Sequence, residues 1–257
     1  YQEEWIQDIE NLNRSDLFEI IDMKDMKKNY GFLSNGLLVK RGGYLFPKLI
    51  CKEMTAHPNI SISFDHCFNN WSRNGSKLDL EFLNQEKKSG FDDVIIASGP
   101  TLEKYLPGLK ISKGQLVGLK GNQPIDIDLP VNSAGYILPM QENITWIGSS
   151  HEKDYENMDI SYEVGKELVK KINKNFKVNL AGTENMLMEA RLRTGSKDRL
   201  PLAGKIQENV YVIGALGSRG FSLGPILGEY IASLINNSPS PISSGIALAI
   251  EPLRFID

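Results

Sequence analysis

The densest chemistry-bearing stretch of this chain runs from Val210 to Ile235, reading VYVIGA, then LGSRGFSLG, then PILGEYIASLI. An apolar strand enters a run holding Gly214, Gly217, Gly220 and Gly224, and the chain leaves that run as a helix. Glycine lets a backbone approach a ligand closely, and a helix N-terminus carries unpaired N–H groups with partial positive charge. An electron-rich or anionic ligand atom suits that arrangement. A tight strand-to-helix turn asks for the same glycines, so the local sequence leaves both readings open. The spacing is G-x-x-G-x-x-G, not the dinucleotide fingerprint G-x-G-x-x-G.

A second group is EARLRTGSKDRLPLAG at 189–204. Arg191 and Arg193 are two apart, so on a strand they share one face. Such a pair can clamp a carboxylate through fork-like hydrogen bonds, or simply form surface ion pairs. Of the 29 Lys+Arg, only eight are Arg, and four of these (Arg191, Arg193, Arg199, Arg219) fall in 191–219. Because a planar guanidinium and an ammonium are not interchangeable, that window is a candidate carboxylate or phosphate site. DDVIIASGP at 92–100 reads as a strand buried on both faces that ends at Ala97 and Gly99, the edge where open α/β sheets bind ligands. Arg41, Gly42 and Gly43 permit close backbone approach or make a flexible turn. His57, His66 and His151 lack metal-ligand spacing and read as solvated or hydrogen-bonded, and Cys51, beside Leu49 and Ile50, reads as a buried thiol. The sequence has no G-x-S-x-G elbow, H-E-x-x-H or Walker loop, which removes the usual support for hydrolase and metalloenzyme readings.

The elements that would position these residues follow from pattern. The 257 residues are 41% hydrophobic and 24% charged, enough for one large or two modest domains. A net charge of −3 gives no bulk signal for nucleic acid, though a local basic patch stays open. No apolar run reaches the roughly 20 residues of a membrane span. Two cysteines, Cys51 and Cys67, build no disulfide framework, so a reducing cytoplasmic setting is expected. Periodicity predicts a helix over 3–29, a hairpin turn at Asn35-Gly36, and a helix at 47–56. A strand over 60–64 and an antiparallel meander over 66–83 follow. The strands QLVGL, AGYILP and ITWIGSS then suggest a broader antiparallel sheet, followed by a helix at 161–175 carrying Lys166, Lys170, Lys171 and Lys174. An α/β texture returns after 196. The expected class is therefore α/β with α+β mixing, two domains interleaved along the chain.

Taken in order, VIIASGP, GYILP with WIGSS, LRTGSKDRLPLAG and GALGSRGFSLGPILGEYIASLI resemble the D-amino acid oxidase (DAO) superfamily of flavoproteins. RGGYLFP, SKDRLPLAG, GALGSRG and the closing EPLRF are similar to one group within it, over roughly 30–257. That group is the oxidoreductase domain of the bifunctional MnmC enzymes of tRNA 5-methylaminomethyl-2-thiouridine biosynthesis. The resemblance implies FAD, and a flavin that does the chemistry without a catalytic side chain. It implies removal of the carboxymethyl group from 5-carboxymethylaminomethyl-2-thiouridine at the tRNA wobble position, releasing glyoxylate. Arg193 would hold the substrate carboxylate, with Tyr136 and Arg191 in the same pocket. Arg41, Gly42, Gly43, Ala97, Gly99, Gly217, Ser218, Arg219 and Gly220 would contact the cofactor. The expected division is 1–43 and 111–195 for the sheet-rich substrate domain, and 44–110 and 196–257 for the FAD-binding domain. The implied partners are tRNA, with Lys166, Lys170, Lys171 and Lys174 as part of a basic rim, and a fused or separate methyltransferase domain. The family's leading strand–G-x-G-x-x-G–helix unit has no counterpart in these residues, so a missing N-terminal FAD-binding segment is expected. Two alternatives stand beside this: a glycine or D-amino acid oxidase-like enzyme of small amines, and a non-catalytic remnant or binding domain.

Overall fold

The computed structural model describes residues 4–255 apart from 122, 124, 126 and 134. The chain forms two compact units, Tyr1–Met54 with Lys113–Arg191, and Thr55–Ser112 with Leu192–Asp257. In the first unit lie helices α1 (Glu4–Asn11), α2 (Met23–Tyr30) and α3 (Pro47–Thr55), and the short strands β1 (Phe18–Ile21) and β2 (Gly36–Val39). The single helix expected over 3–29 is thus broken. Asn13 takes a left-handed φ of 48° and ends α1, and Phe18–Ile21 pairs antiparallel with Gly36–Val39. Leu17, Ile20 and Ile21 fit helical and strand periods alike over so short a run, and the ladder partner decides. Asn35-Gly36 makes no hairpin, because the strand that pairs with β2 lies before α2.

The main sheet of this unit has the order β11-β7-β10-β9-β8. Its strands are β7 (Lys110–Lys120), β8 (Val131–Asn132), β9 (Tyr136–Ile137), β10 (Ile144–Gly148) and β11 (Leu187–Gly195). The chain passes between the units three times, at the end of α3, within β7 and within β11. Of the expected strand AGYILP, residue 134 lies outside the described residues. Helix α4 (Tyr162–Phe176) is capped by Ser161, whose hydroxyl accepts from the Val164 N–H. Its Leu168, Val169, Ile172 and Phe176 recur at helical spacing and are buried with Val117, Leu119, Ile137 and Ile147 of the sheet. Ile172 is fully covered.

The second unit is built on a sheet of order β12-β13-β6, from β12 (Leu202–Gln207), β13 (Val210–Gly214) and β6 (Val94–Ile96). β13 is parallel to β6, with Val210, Tyr211 and Val212 opposite Val94, Ile95 and Ile96. Alternation along β13 buries both faces. Val210 and Val212 pack with Val94, Ile96, Leu102 and Leu202, while Tyr211 packs with Ala203, Leu227, Tyr230 and Ile231. Leu227, Tyr230 and Ile231 come from helix α5 (Gly220–Ile235). The other layer includes the meander β3 (Phe68–Asn74), β4 (Lys77–Phe82) and β5 (Lys87–Phe91), whose Leu78 joins that core. The short helix α6 (Ser244–Ala249) follows α5.

Three expectations change in this unit. β6 is not covered on both faces, since Ile95 is 47% exposed. Residues 60–64 form no strand; they find no ladder partner among the described residues, and Phe64 is 79% exposed. Helix α5 begins at Gly220, five residues before Pro225, so Gly220 and Gly224 belong to the helix and not to the loop before it. In the first unit the Cys51 thiol is exposed, because α3 buries none of its residues.

Candidate functional site

The parallel pair β6 and β13 ends at one edge of the second unit's sheet, and two tight turns leave that edge. After β6 come Ala97, Ser98 and Gly99, with Gly99 at φ 62°. β13 ends at Gly214, and after it come Ala215 at φ 56°, Leu216, and Gly217 at φ 58°. The Gly-rich run divides by function once its neighbours are seen. A Cβ on Gly214 would overlap the Leu102 side chain, so that glycine serves core packing. A Cβ on Gly99, Gly217, Gly220 or Gly224 would meet no heavy atom within 4 Å. These glycines border open space.

Two polar features follow these strand ends, Ser98 after β6 and Arg219 after β13. Ser98 Oγ is the one side-chain polar atom among the described residues that is buried with no hydrogen-bond partner. An orphaned buried hydroxyl costs of order 1–3 kcal/mol, which a ligand group would recover. Arg219, at the start of α5, provides no side-chain cap; a 3-10 turn over Gly217–Arg219 leads into the helix, with the Arg219 N–H on the Leu216 carbonyl at 3.0 Å. Arg219 is held elsewhere, its guanidinium donating to the Arg199 carbonyl.

Arg199 belongs to the tight loop between β11 and β12. Ser196 Oγ lies 2.7 Å from Asp198 Oδ1 and 2.6 Å from the Leu200 carbonyl, inside the loop. Arg254 makes a two-pronged contact to Asp198, Nε to Oδ2 and Nη2 to Oδ1, each at 3.0 Å. This hydrogen-bonded guanidinium holds the Asp198 carboxyl far below the usual carboxylate range. The Arg254 guanidinium also stacks on Phe255 at 4.6 Å.

The expected substrate residues are placed as follows. Arg191 and Arg193 share a face of β11; Arg193 is half-buried, while Arg191 is exposed and pairs with Glu189 at 3.6 Å. In the first unit, Tyr136 lies opposite Gly148 in the β9–β10 ladder, and a Cβ on Gly148 would overlap the Tyr136 ring. Gly148 therefore seats that ring. Arg41, Gly42 and Gly43 are exposed after β2, and Gly43 borders open space. Of the histidines, His66 pairs with Glu86 at 3.0 Å, and His57 and His151 are exposed. Two of the four lysines of α4 are answered by their own helix: Lys166 by Glu163 at 3.0 Å and Lys170 by Glu167 at 3.4 Å.

Sequence reasoning passed over Ser98, Asp198 and Arg254. The closing EPLRF carried a signal for Arg254, but its partner lies 56 residues away. Nothing local marks the Ser98 hydroxyl as orphaned.

The class follows from comparison at this point. The FAD dependent oxidoreductase family matches residues 1–234, and the chain belongs to that family. FAD is its cofactor, and oxidoreduction is its class of chemistry. The open glycines, the uncapped start of α5 and the Ser98 hydroxyl fit a flavin edge rich in acceptors. Among curated relatives, the chain is similar to the tRNA 5-methylaminomethyl-2-thiouridine biosynthesis bifunctional protein MnmC of Campylobacter jejuni, 27% identical over 90% of this chain and 41% of that protein. The protein of the same name from Idiomarina loihiensis is 34% identical over 63% of this chain and 28% of that one. The chain thus spans about two fifths of the length of the first of these relatives. Solved structures share the fold. Glycine oxidase from Bacillus cereus superposes with a TM-score of 0.75 at 17% identity, covering 94% of this chain and 72% of that one. L-proline dehydrogenase from P. horikoshii gives 0.74 at 15%, covering 98% and 72%. No described helix is long and apolar enough to cross a membrane.

Proposed function

We propose that the protein removes the carboxymethyl group from 5-carboxymethylaminomethyl-2-thiouridine in tRNA, acting on a CH–NH bond. The supporting observation is the open turn at Gly217–Gly220 in a chain similar, over most of its length, to proteins named for this pathway. When bound, FAD supplies a hydride acceptor: the carbon between amine and carboxylate loses hydride to it, the amine loses a proton, and water hydrolyses the resulting C=N bond to a primary amine and glyoxylate.

The chain's own part is binding and charge placement. The N–H groups at Gly217, Ser218 and Gly220 would hold the pyrimidine end of the cofactor, where negative charge builds on reduction, while the Arg219 N–H is taken by the Leu216 carbonyl at 3.0 Å and Arg219 contributes its place in the turn. The Ser98 hydroxyl adds a donor from the neighbouring strand end. Ala97 and Gly99 would give backbone room for the rest of the cofactor. Arg193 would bind the substrate carboxylate through its guanidinium fork. The reaction belongs in the cytoplasm, and its primary-amine product suits a methyltransferase domain fused or separate.

Anaerobic mixing with FAD tests this reading. Flavin bleaching and stoichiometric glyoxylate with tRNA carrying the carboxymethylaminomethyl group are expected. Bleaching by free glycine with no response to that tRNA would replace it by a small-molecule amine oxidase.

A further inference from the structure

The loop at 196–200 gathers cations beyond what the fold needs. Lys197 and Arg199 belong to it, and three more cations donate to its carbonyls. Lys110 Nζ reaches the Lys197 carbonyl at 3.4 Å, Arg254 Nη2 the Leu200 carbonyl at 3.2 Å, and Arg219 the Arg199 carbonyl. The Lys197 ammonium also lies 5.7 Å from the Phe255 ring centre. The one carboxylate in the loop, Asp198, is fully engaged by Arg254. Nearby Glu103 is turned inward, accepting from the Gly108 and Leu109 N–H groups at 2.8 and 2.7 Å. Among the described residues, none of Lys110, Lys197, Arg199 and Arg219 forms an ion pair with a carboxylate, although the chain as a whole carries −3.

Four exposed, uncompensated cations held around five residues repel one another, and a polyanion relieves that repulsion by releasing its own counterions. The backbone here is set by the Asp198–Arg254 contact and the Ser196 hydroxyl, so the loop presents its charges without first having to fold. We infer that Lys110, Lys197 and Arg199 form the surface that binds the phosphate backbone of the tRNA substrate. This rests on the proposed function and assigns its RNA contact to the 196–200 loop instead of to α4. The side chains of these three residues hold no part of the cofactor turn, because Arg219 is anchored by the Arg199 carbonyl and not by its guanidinium.

The test is tRNA binding by the full chain, followed by fluorescence anisotropy over a salt series. Three proteins are compared: wild type, the triple variant Lys110→Ala/Lys197→Ala/Arg199→Ala, and the α4 control Lys166→Ala/Lys170→Ala/Lys174→Ala. In the loop variant the slope of log K against log salt should become shallower by roughly 2–3, with a loss of about tenfold or more in affinity near 0.1 M salt. FAD binding and melting temperature should stay at wild-type values, and the α4 control should keep the wild-type slope. A loop variant that binds tRNA with the wild-type slope, or an α4 control that loses as much, overturns the assignment and leaves the proposed function standing. A wild-type protein that binds FAD but no tRNA at any salt overturns the proposed function together with it.

Discussion

Helix α4 and the 196–200 loop both carry clustered cations, yet they manage charge in opposite ways. In α4 two of the four lysines, Lys166 and Lys170, sit three residues after glutamates, at the spacing where neighbours on a helix meet, and are answered within the element. The helix owes its position to apolar burial, with Leu168, Val169, Ile172 and Phe176 against the sheet. The loop has no comparable apolar stripe. It is fixed by one ion pair, one hydroxyl and borrowed guanidinium and ammonium groups, and most of its charge is left over. A count of cations along the sequence cannot separate these cases. What separates them is whether a carboxylate lies within reach.

The contrast can be broken or sharpened by substitution. The largest effect is expected under α4: Ile172→Ala should cost about 2–5 kcal/mol, seen as a lower denaturation midpoint with unchanged slope. A cost under ~1 kcal/mol would mean the helix is not held by its apolar face. Arg254→Ala removes the loop's clamp and leaves Asp198 without its main partner; a loss of about 2 kcal/mol is expected. Trypsin should then cut after Lys197 and Arg199 faster than in wild type. Unchanged cleavage would show that the ion pair does not fix the loop.

The same pair sets a pH response. The folded-state pKa of Asp198 is depressed, so its contribution is present above the unfolded value near ~4 and is lost as pH falls below that. Asp198→Asn should flatten the acid side of the melting-temperature profile and leave its neutral side lower. An acid limb as steep as wild type would assign that sensitivity to other carboxylates. The smallest effect belongs to α4's own pairs: Glu163→Gln and Glu167→Gln should each cost under about 0.5 kcal/mol. A drop of ~2 kcal/mol from either would make these exposed pairs structural.

What the sequence makes legible is where periodicity or spacing acts locally. The buried strand Val210–Gly214, the glycine run after it, the Asn74-Gly75 turn of the meander and the amphipathic α4 all follow from neighbours a few residues apart. Elements decided by distant partners are read less well. Phe18–Ile21 is a strand because Gly36–Val39 pairs with it, and 60–64 is no strand because nothing described pairs with it. The site divides in the same way. Gly214 and Gly217 look alike in sequence, but Leu102 fills the space at one and leaves the other open. Ser98 becomes a candidate donor only once its lack of a partner is known. Arg191 and Arg193 share a face as their spacing demands, yet Glu189 engages Arg191. If Arg193 holds the proposed substrate's carboxylate, an Arg193→Lys variant, which keeps charge and loses the fork, should raise KM for that substrate far more than it lowers kcat.

The central claim is that the turn after β13 receives the flavin. An FAD titration of the chain, followed by absorption and fluorescence quenching, tests it directly in wild type and in Gly217→Val, with circular dichroism confirming that both are folded. Saturable binding by wild type and its loss in the folded variant are expected. Full flavin occupancy in Gly217→Val would make the turn merely structural and contradict the account.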